Sequence, residues 1–201
     1  QEIRFKDENG KDFPDWEEKK LEKLFDFSRG SSFSKSDIEI DGKYKCIHYG
    51  ELFTVYNEII LKIISRTNKE GKMSMRGDIL MPTSDVTPFG LATASCIQED
   101  NVVLGGDMNV LRSKSDIDPE FFSYLLNFSV KKIIKLVTGT TIKHIYSKDL
   151  KTLLFKVPSK RIEQQNISQF LSSIDNQIEL LETQIDKSKT WKKGLLQKMF
   201  V

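Results

Sequence analysis

The side chains best suited to holding a ligand lie together in Thr138-Gly139-Thr140-Thr141-Ile142-Lys143-His144-Ile145-Tyr146-Ser147-Lys148. Thr and Ser hydroxyls and Lys ammonium groups are the usual partners of phosphate oxygens, while His and Tyr can reach base edges or stack on them. The segment belongs to a wider charge anomaly. Residues 131–161 hold nine Lys or Arg against one acid, Asp149, in a chain whose formal net charge is only +2. A cation beside a phosphate releases condensed counterions, so such clustering is the footprint of a polyanion binder. The plainer reading is a solvated helix face plus a loop. A second set of polar loops, Ser34–Ser36, Lys43–Lys45, Arg66–Lys69, Lys72 and Thr83–Thr87, falls between apolar runs. Loops on a β scaffold can vary their side chains without disturbing the core. The candidate contacts to double-stranded DNA are Lys143, His144, Tyr146, Thr140, Thr141 and Lys148, followed by Lys43, Lys45, Arg66, Lys72, Ser84 and Thr87.

Catalytic chemistry is poorly supplied. There is no G-x-G-x-x-G, no G-x-x-x-x-G-K-[ST] and no G-x-S-x-G. Cys46 and His48 would share a strand face, but two ligands do not make a zinc site. Pro14-Asp15 with Glu18-x-Lys20 has the residue types of a metal-dependent nuclease. Those groups must converge from separate strands, and here they crowd into a few residues. Neither a Pro-Pro-Tyr nor a Pro-Cys motif of a base methyltransferase is present. The expectation is a binder, not an enzyme, with no metal and no cofactor.

The elements that must position these residues are readable in outline. With 38% hydrophobic and 30% charged residues the chain suits a globular protein, and eighteen apolar residues never run together. The amino end lacks a signal-type apolar core and there are two cysteines, so a cytoplasmic location without a membrane span is expected. Asp15–Phe25 has the spacing of a short helix or a turn into a strand, and Ser28–Ser34 is a loop. Short strands are expected at Tyr44–His48, Leu52–Tyr56, Ile59–Ile64, Asp78–Met81, Leu91–Ile97, Val102–Leu104 and Met108–Leu111. Asp118-Pro119-Glu120 opens a helix that runs to Gly139, and Leu153, Phe155 and Val157 alternate as a strand. From Ser159 to Lys198 a heptad seam follows, carried by Ile167, Leu171, Ile174, Ile178, Leu181, Ile185 and Leu195, with Ser188 and Lys192 its weakest positions. A rod on the order of 60 Å long cannot bury its seam on a small domain and needs a partner helix. The fold class is α+β: a mixed or antiparallel β-rich domain over 1–158 with a few helices, then a long C-terminal coiled-coil helix over 159–201.

The order of these features resembles the specificity subunit of type I restriction–modification systems. The likeness rests on Ile3-Arg4-Phe5 with Asp15–Leu21, Arg76–Met81 before a Ser/Thr-rich loop, Gly139–Ile145, Leu150 to Val157-Pro158, Glu163–Ile167 and the ending Lys192–Phe200. The resemblance implies a non-catalytic subunit whose target-recognition domains each read one half of a split DNA sequence. It also implies two long antiparallel helices as spacer, with the methyltransferase and restriction subunits as partners. This chain carries one recognition domain and one helix, so an excised half or a short subunit that forms a homodimer is expected. A coiled-coil protein-interaction adaptor with no sequence-specific DNA role is the competing reading, and a small nuclease the third.

Overall fold

Ile79-Leu80-Met81 sends alternate side chains into two apolar clusters. Ile79 and Met81 join Leu111, Phe121 and Phe122, whereas Leu80 joins Ile47, Leu52 and Val110. A strand covered on both faces has to be apolar throughout, and this one is buried at every position. The computed structural model describes residues 3–114 and 116–200. The first elements are β1 (Glu17–Lys20), α1 (Leu21–Leu24), β2 (Phe25–Arg29), β3 (Tyr44–Ile47), α2 (Glu51–Thr54), β4 (Ile59–Ile60) and β5 (Ser65–Thr67). Then come β6 (Ile79–Pro82), β7 (Ser84–Asp85), β8 (Ser95–Ile97), β9 (Val103–Leu104) and β10 (Met108–Ser113). The last are α3 (Pro119–Phe128), α4 (Val130–Ile133), β11 (Lys143–His144), α5 (Ser147–Leu150), β12 (Leu154–Val157) and α6 (Arg161–Met199).

The central sheet has the order β2-β10-β6-β8-β4, antiparallel except where β4 runs parallel to β8. A second sheet has the order β5-β3-β9, and the pairs β1·β12 and β7·β11 are separate two-stranded ladders. The class is α+β, with mixed and antiparallel sheets and one long C-terminal helix. Helix α3 closes one face of the central sheet by driving Phe122 between Phe25 and Phe155, ring centroids 4.9 and 5.5 Å away.

Six local expectations differ from the structure, two of them by a few residues: Gly90–Ala92 forms a 3₁₀ turn, so only Ser95–Ile97 of the Leu91–Ile97 run is strand, and Ser28 and Arg29 of the expected loop end β2 because they pair with β10. Asp15–Phe25 is strand, single helical turn and strand, because β1 pairs with β12 and β2 with β10, and both ladders turn Leu21, Leu24 and Phe25 inward. Leu52–Tyr56 is helical at its start: the Glu51 carboxylate accepts the His48 N–H at 2.6 Å and the Ser65 hydroxyl, closing a turn that buries Leu52. Only Ile59–Ile60 of the Ile59–Ile64 run pairs, and Leu61 and Ile64 are exposed. The helix opened by Asp118 breaks at Ser129 and finishes as α4 and a 3₁₀ turn, Ile134–Leu136. Val130, Ile133 and Ile134 beyond the break still join Phe121, Phe122 and Leu126 in one cluster. The outer bounds 1 and 201 of the expected domain division lie outside the described residues.

Helix α6 is about 58 Å long at 1.5 Å per residue. Its first turns are bolted to the body by buried polar side chains. Glu163, fully buried, accepts from Arg4 and from Trp16 Nε1. The Gln164 side chain accepts the Asp118 N–H and donates to the Pro158 carbonyl, at 2.7 and 2.8 Å. Ser168 donates to the Asp118 carboxylate at 2.6 Å, and Tyr124 donates to Asp175. From Asn176 to Met199 every residue except Gly194 is exposed.

Candidate nucleic-acid interface

Thr138 and His144 exchange two backbone hydrogen bonds, at 3.0 and 2.8 Å, and so close a tight loop. Gly139 has φ +98°, and a Cβ there would lie 2.2 Å from the Ile142 carbonyl oxygen, so only glycine fits. The loop is fastened to the sheet by the β7·β11 ladder, which puts His144 across from Ser84 and Lys143 across from Asp85. Ile145 anchors it from below: its side chain is buried and its N–H donates to the Thr83 carbonyl at 3.1 Å. Two candidate loops separated widely in sequence therefore form one rim.

The side chains on this rim are ordered by each other. The His144 and Tyr146 rings stack at 6.3 Å and 23°, and the Lys148 ammonium lies 5.6 Å from the Tyr146 centroid. Lys143 is folded back, donating to the Gly139 and Thr140 carbonyls at 2.9 and 2.6 Å. Thr140 and Thr141 are exposed at the tip, and Thr87 donates to Asp85 at 2.6 Å. Between the loops and α2 runs an open groove of about 550 Å³, lined among others by Tyr49, Phe53, Asp85, Ile142 and His144. The charged residues lining the groove are the acids Asp85 and Asp107, so the cations Lys143 and Lys148 lie on the rim and not in the groove.

The remaining candidates sit elsewhere. Lys45 and Arg66 face each other across β3·β5, where Lys45 pairs with Glu99 at 2.6 Å and Arg66 donates to the Gly42 and Lys43 carbonyls. The Lys43 ammonium lies 4.8 Å from the Tyr44 centroid. Lys72 contributes a backbone N–H to Ser31. These contacts hold the second sheet together and do not join the rim.

Arg29 does join it, and no local sequence signal marks it. It ends β2 opposite Asn109, and its Nη2 donates to the Thr83 hydroxyl at 3.3 Å. The nine cations of residues 131–161 are almost unmatched by acids. Of these nine, only Arg161 is in an ion pair among the described residues, with Asp116 at 2.9 Å. No cluster of three or more His, Cys, Asp or Glu suited to a metal occurs among the described residues. Burial keeps the Cys46 thiol protonated by pushing its pKa up to about 12. No helix among the described residues is long and apolar enough to cross a membrane.

A family model described as the type I restriction modification DNA specificity domain matches residues 14–188, most of the chain. The chain belongs to this family. Proteins named as type I specificity subunits in Mycoplasma pneumoniae and Mycoplasma genitalium are 27% and 26% identical over 188 residues, covering 92% of this chain. The specificity subunit of the MjaVIII type I restriction enzyme of Methanocaldococcus jannaschii is 27% identical over 205 residues, 99% of this chain. The specificity-domain chain spans less than half the length of these relatives, 45%, 44% and 45%. A type I S subunit from M. genitalium superposes with TM-score 0.61 at 25% identity, over 84% of this chain and 41% of that one. The HsdS subunit from Thermoanaerobacter tengcongensis has the same fold, with TM-score 0.60 at 19% identity, over 85% of this chain and 40% of that one.

Proposed function

We propose that this specificity-domain chain reads one half of a bipartite DNA target for a type I restriction–modification complex and performs no catalysis itself. Residues 1–158 act as the target-recognition domain and residues 159–201 as dimerisation and spacer arm. The rim built from Thr140, Thr141, His144, Tyr146, Lys148, Ser84 and Thr87 faces the duplex. The observation that carries this reading is the charge of residues 131–161, of whose nine cations only Arg161 has an acidic partner among the described residues, because cations clustered beside an ordered loop attract a polyanion through counterion release.

Support for the arm comes from α6. Ile167 packs on the body, whereas Ile174, Ile178, Leu181 and Ile185 are 37–56% exposed on the free part of the rod. A second copy offering the same seam antiparallel covers them and leaves a recognition domain at each end. The target of such a homodimer is a gapped palindrome with half-sites roughly one helical turn or more apart. Methyltransferase and restriction subunits complete the assembly, in the cytoplasm.

The test is binding to duplex DNA as salt is raised, read by fluorescence anisotropy. Four or more phosphate contacts require affinity to fall about a hundredfold between 50 and 200 mM salt. A coiled-coil adaptor with a bystander charge run binds no duplex at either salt, and that result rejects the proposal.

A further inference from the structure

Strand β2 is an edge strand, and its core-facing row runs Phe25, Phe27, Arg29 from the middle of the cluster to the rim. The short helix α5 packs over the same rim. Leu150 enters the core, the Ser147 hydroxyl donates to Asn109 Oδ1 at 2.7 Å, and the Lys151 ammonium lies 5.5 Å from the Phe27 centroid. Asn109 is the residue across from Arg29, so Arg29, Lys148 and Lys151 flank one short helix. None of the three is in an ion pair among the described residues. Acids near them are Asp149, on the helix itself, Glu22, which is already paired with Lys20 at 3.8 Å, and Asp107, whose carbonyl accepts the Thr83 N–H. Two further observations point to a missing ligand. Among the described residues Arg29 donates only to the Thr83 hydroxyl, at a long 3.3 Å, which leaves the rest of its donor fork without a partner there. Asn109 is 1% exposed, yet its Nδ2 has no hydrogen-bond partner among the described residues, an unusual state for a buried amide.

We infer that Arg29, Lys148 and Lys151 form a phosphate-binding edge that seats the DNA backbone beside the His144–Tyr146 rim. This deepens the DNA-reading proposal and rests on it. The ligand is a phosphodiester: the planar fork of Arg29 takes two phosphate oxygens, and the two lysines supply point charges along the strand. The contacts carry no sequence information; they hold the register in which the neighbouring rim meets base edges.

The experiment measures the salt dependence of binding to several unrelated duplexes. Replacing all three residues (Arg29→Gln, Lys148→Gln, Lys151→Gln) is expected to lower the slope of log affinity against log salt by two to three, since each phosphate contact contributes about 0.9. The loss is expected to be equal on every duplex. A control carrying Lys187→Gln, Lys193→Gln and Lys198→Gln, on the exposed part of α6, removes the same charge and is expected to keep the slope. Arg29→Gln alone, at an exposed position that folding tolerates, lowers the slope by about one. A triple variant with the unaltered slope overturns the inference and leaves the DNA-reading proposal standing, and so does a control that loses as much. A loss confined to some sequences assigns Arg29 to a base edge and overturns the phosphate assignment. An unaltered chain that binds no duplex overturns both.

Discussion

The His48 ring packs 4.5 Å from Tyr49 and 6.2 Å from Phe33, and its Nδ1 accepts the Gly50 N–H at 3.2 Å. That acceptor exists only in the neutral ring. Burial lowers the His48 pKa below its ordinary value and Lys35 adds to the effect, outweighing Glu51 and Asp107, which pull it up. Between the unfolded and folded values the unfolded chain binds more protons, so stability is complete above about pH 6.5 and declines as pH falls below it. The melting temperature is expected to drop more from pH 7.5 to 5.5 in the unaltered protein than in His48→Asn, which keeps an acceptor for Gly50 and cannot titrate. Equal drops would remove His48 from the pH response.

Among the elements, the joint between α3 and α6 decides where the rod points. Asp118 caps α3 by accepting the Phe121 N–H at 3.1 Å, receives the Ser168 hydroxyl from α6, and gives its own N–H to Gln164. Asp118→Ala loses the cap and leaves the Ser168 hydroxyl with only the Gln165 carbonyl, at 3.1 Å, as acceptor. The expected cost is about 1–2 kcal/mol, read as a melting temperature lowered roughly 2–4 °C for each kcal/mol in a chain of this size. An unchanged melting temperature would show that water replaces both contacts at no cost.

At the scale of the whole molecule, Ile178, Leu181 and Ile185 lie exposed on the far half of α6 and are the proposed contact with a second copy. Light scattering on the purified chain is expected to return twice the 23.2 kDa chain mass at micromolar concentration. Replacing Ile174 and Ile178 with Asp should return one chain mass while far-UV dichroism and melting of the β-rich body stay unchanged. A single chain mass for the unaltered protein would refute the paired arm. On the proposed pairing, two rims would lie at opposite ends of one rod, and its length would fix the spacing between half-sites.

Periodicity is local, and what rests on it was readable from residues alone: the seam from Ile167 to Leu195, the Asp118 cap on α3, the alternation of Phe155 and Val157 in β12, and the charge of residues 131–161. Short apolar runs carry no such signal. Leu52–Tyr56 suits either state until Glu51 finds His48 and Ser65, and Leu21–Phe25 until β10 and β12 arrive as partners. The rim is of the same kind: Ser84 meets His144, and Arg29 meets Thr83, only because β7 finds β11 and β2 finds β10. Pairing between distant strands is decided by which faces can be buried together, a property of the assembled core that no single segment contains.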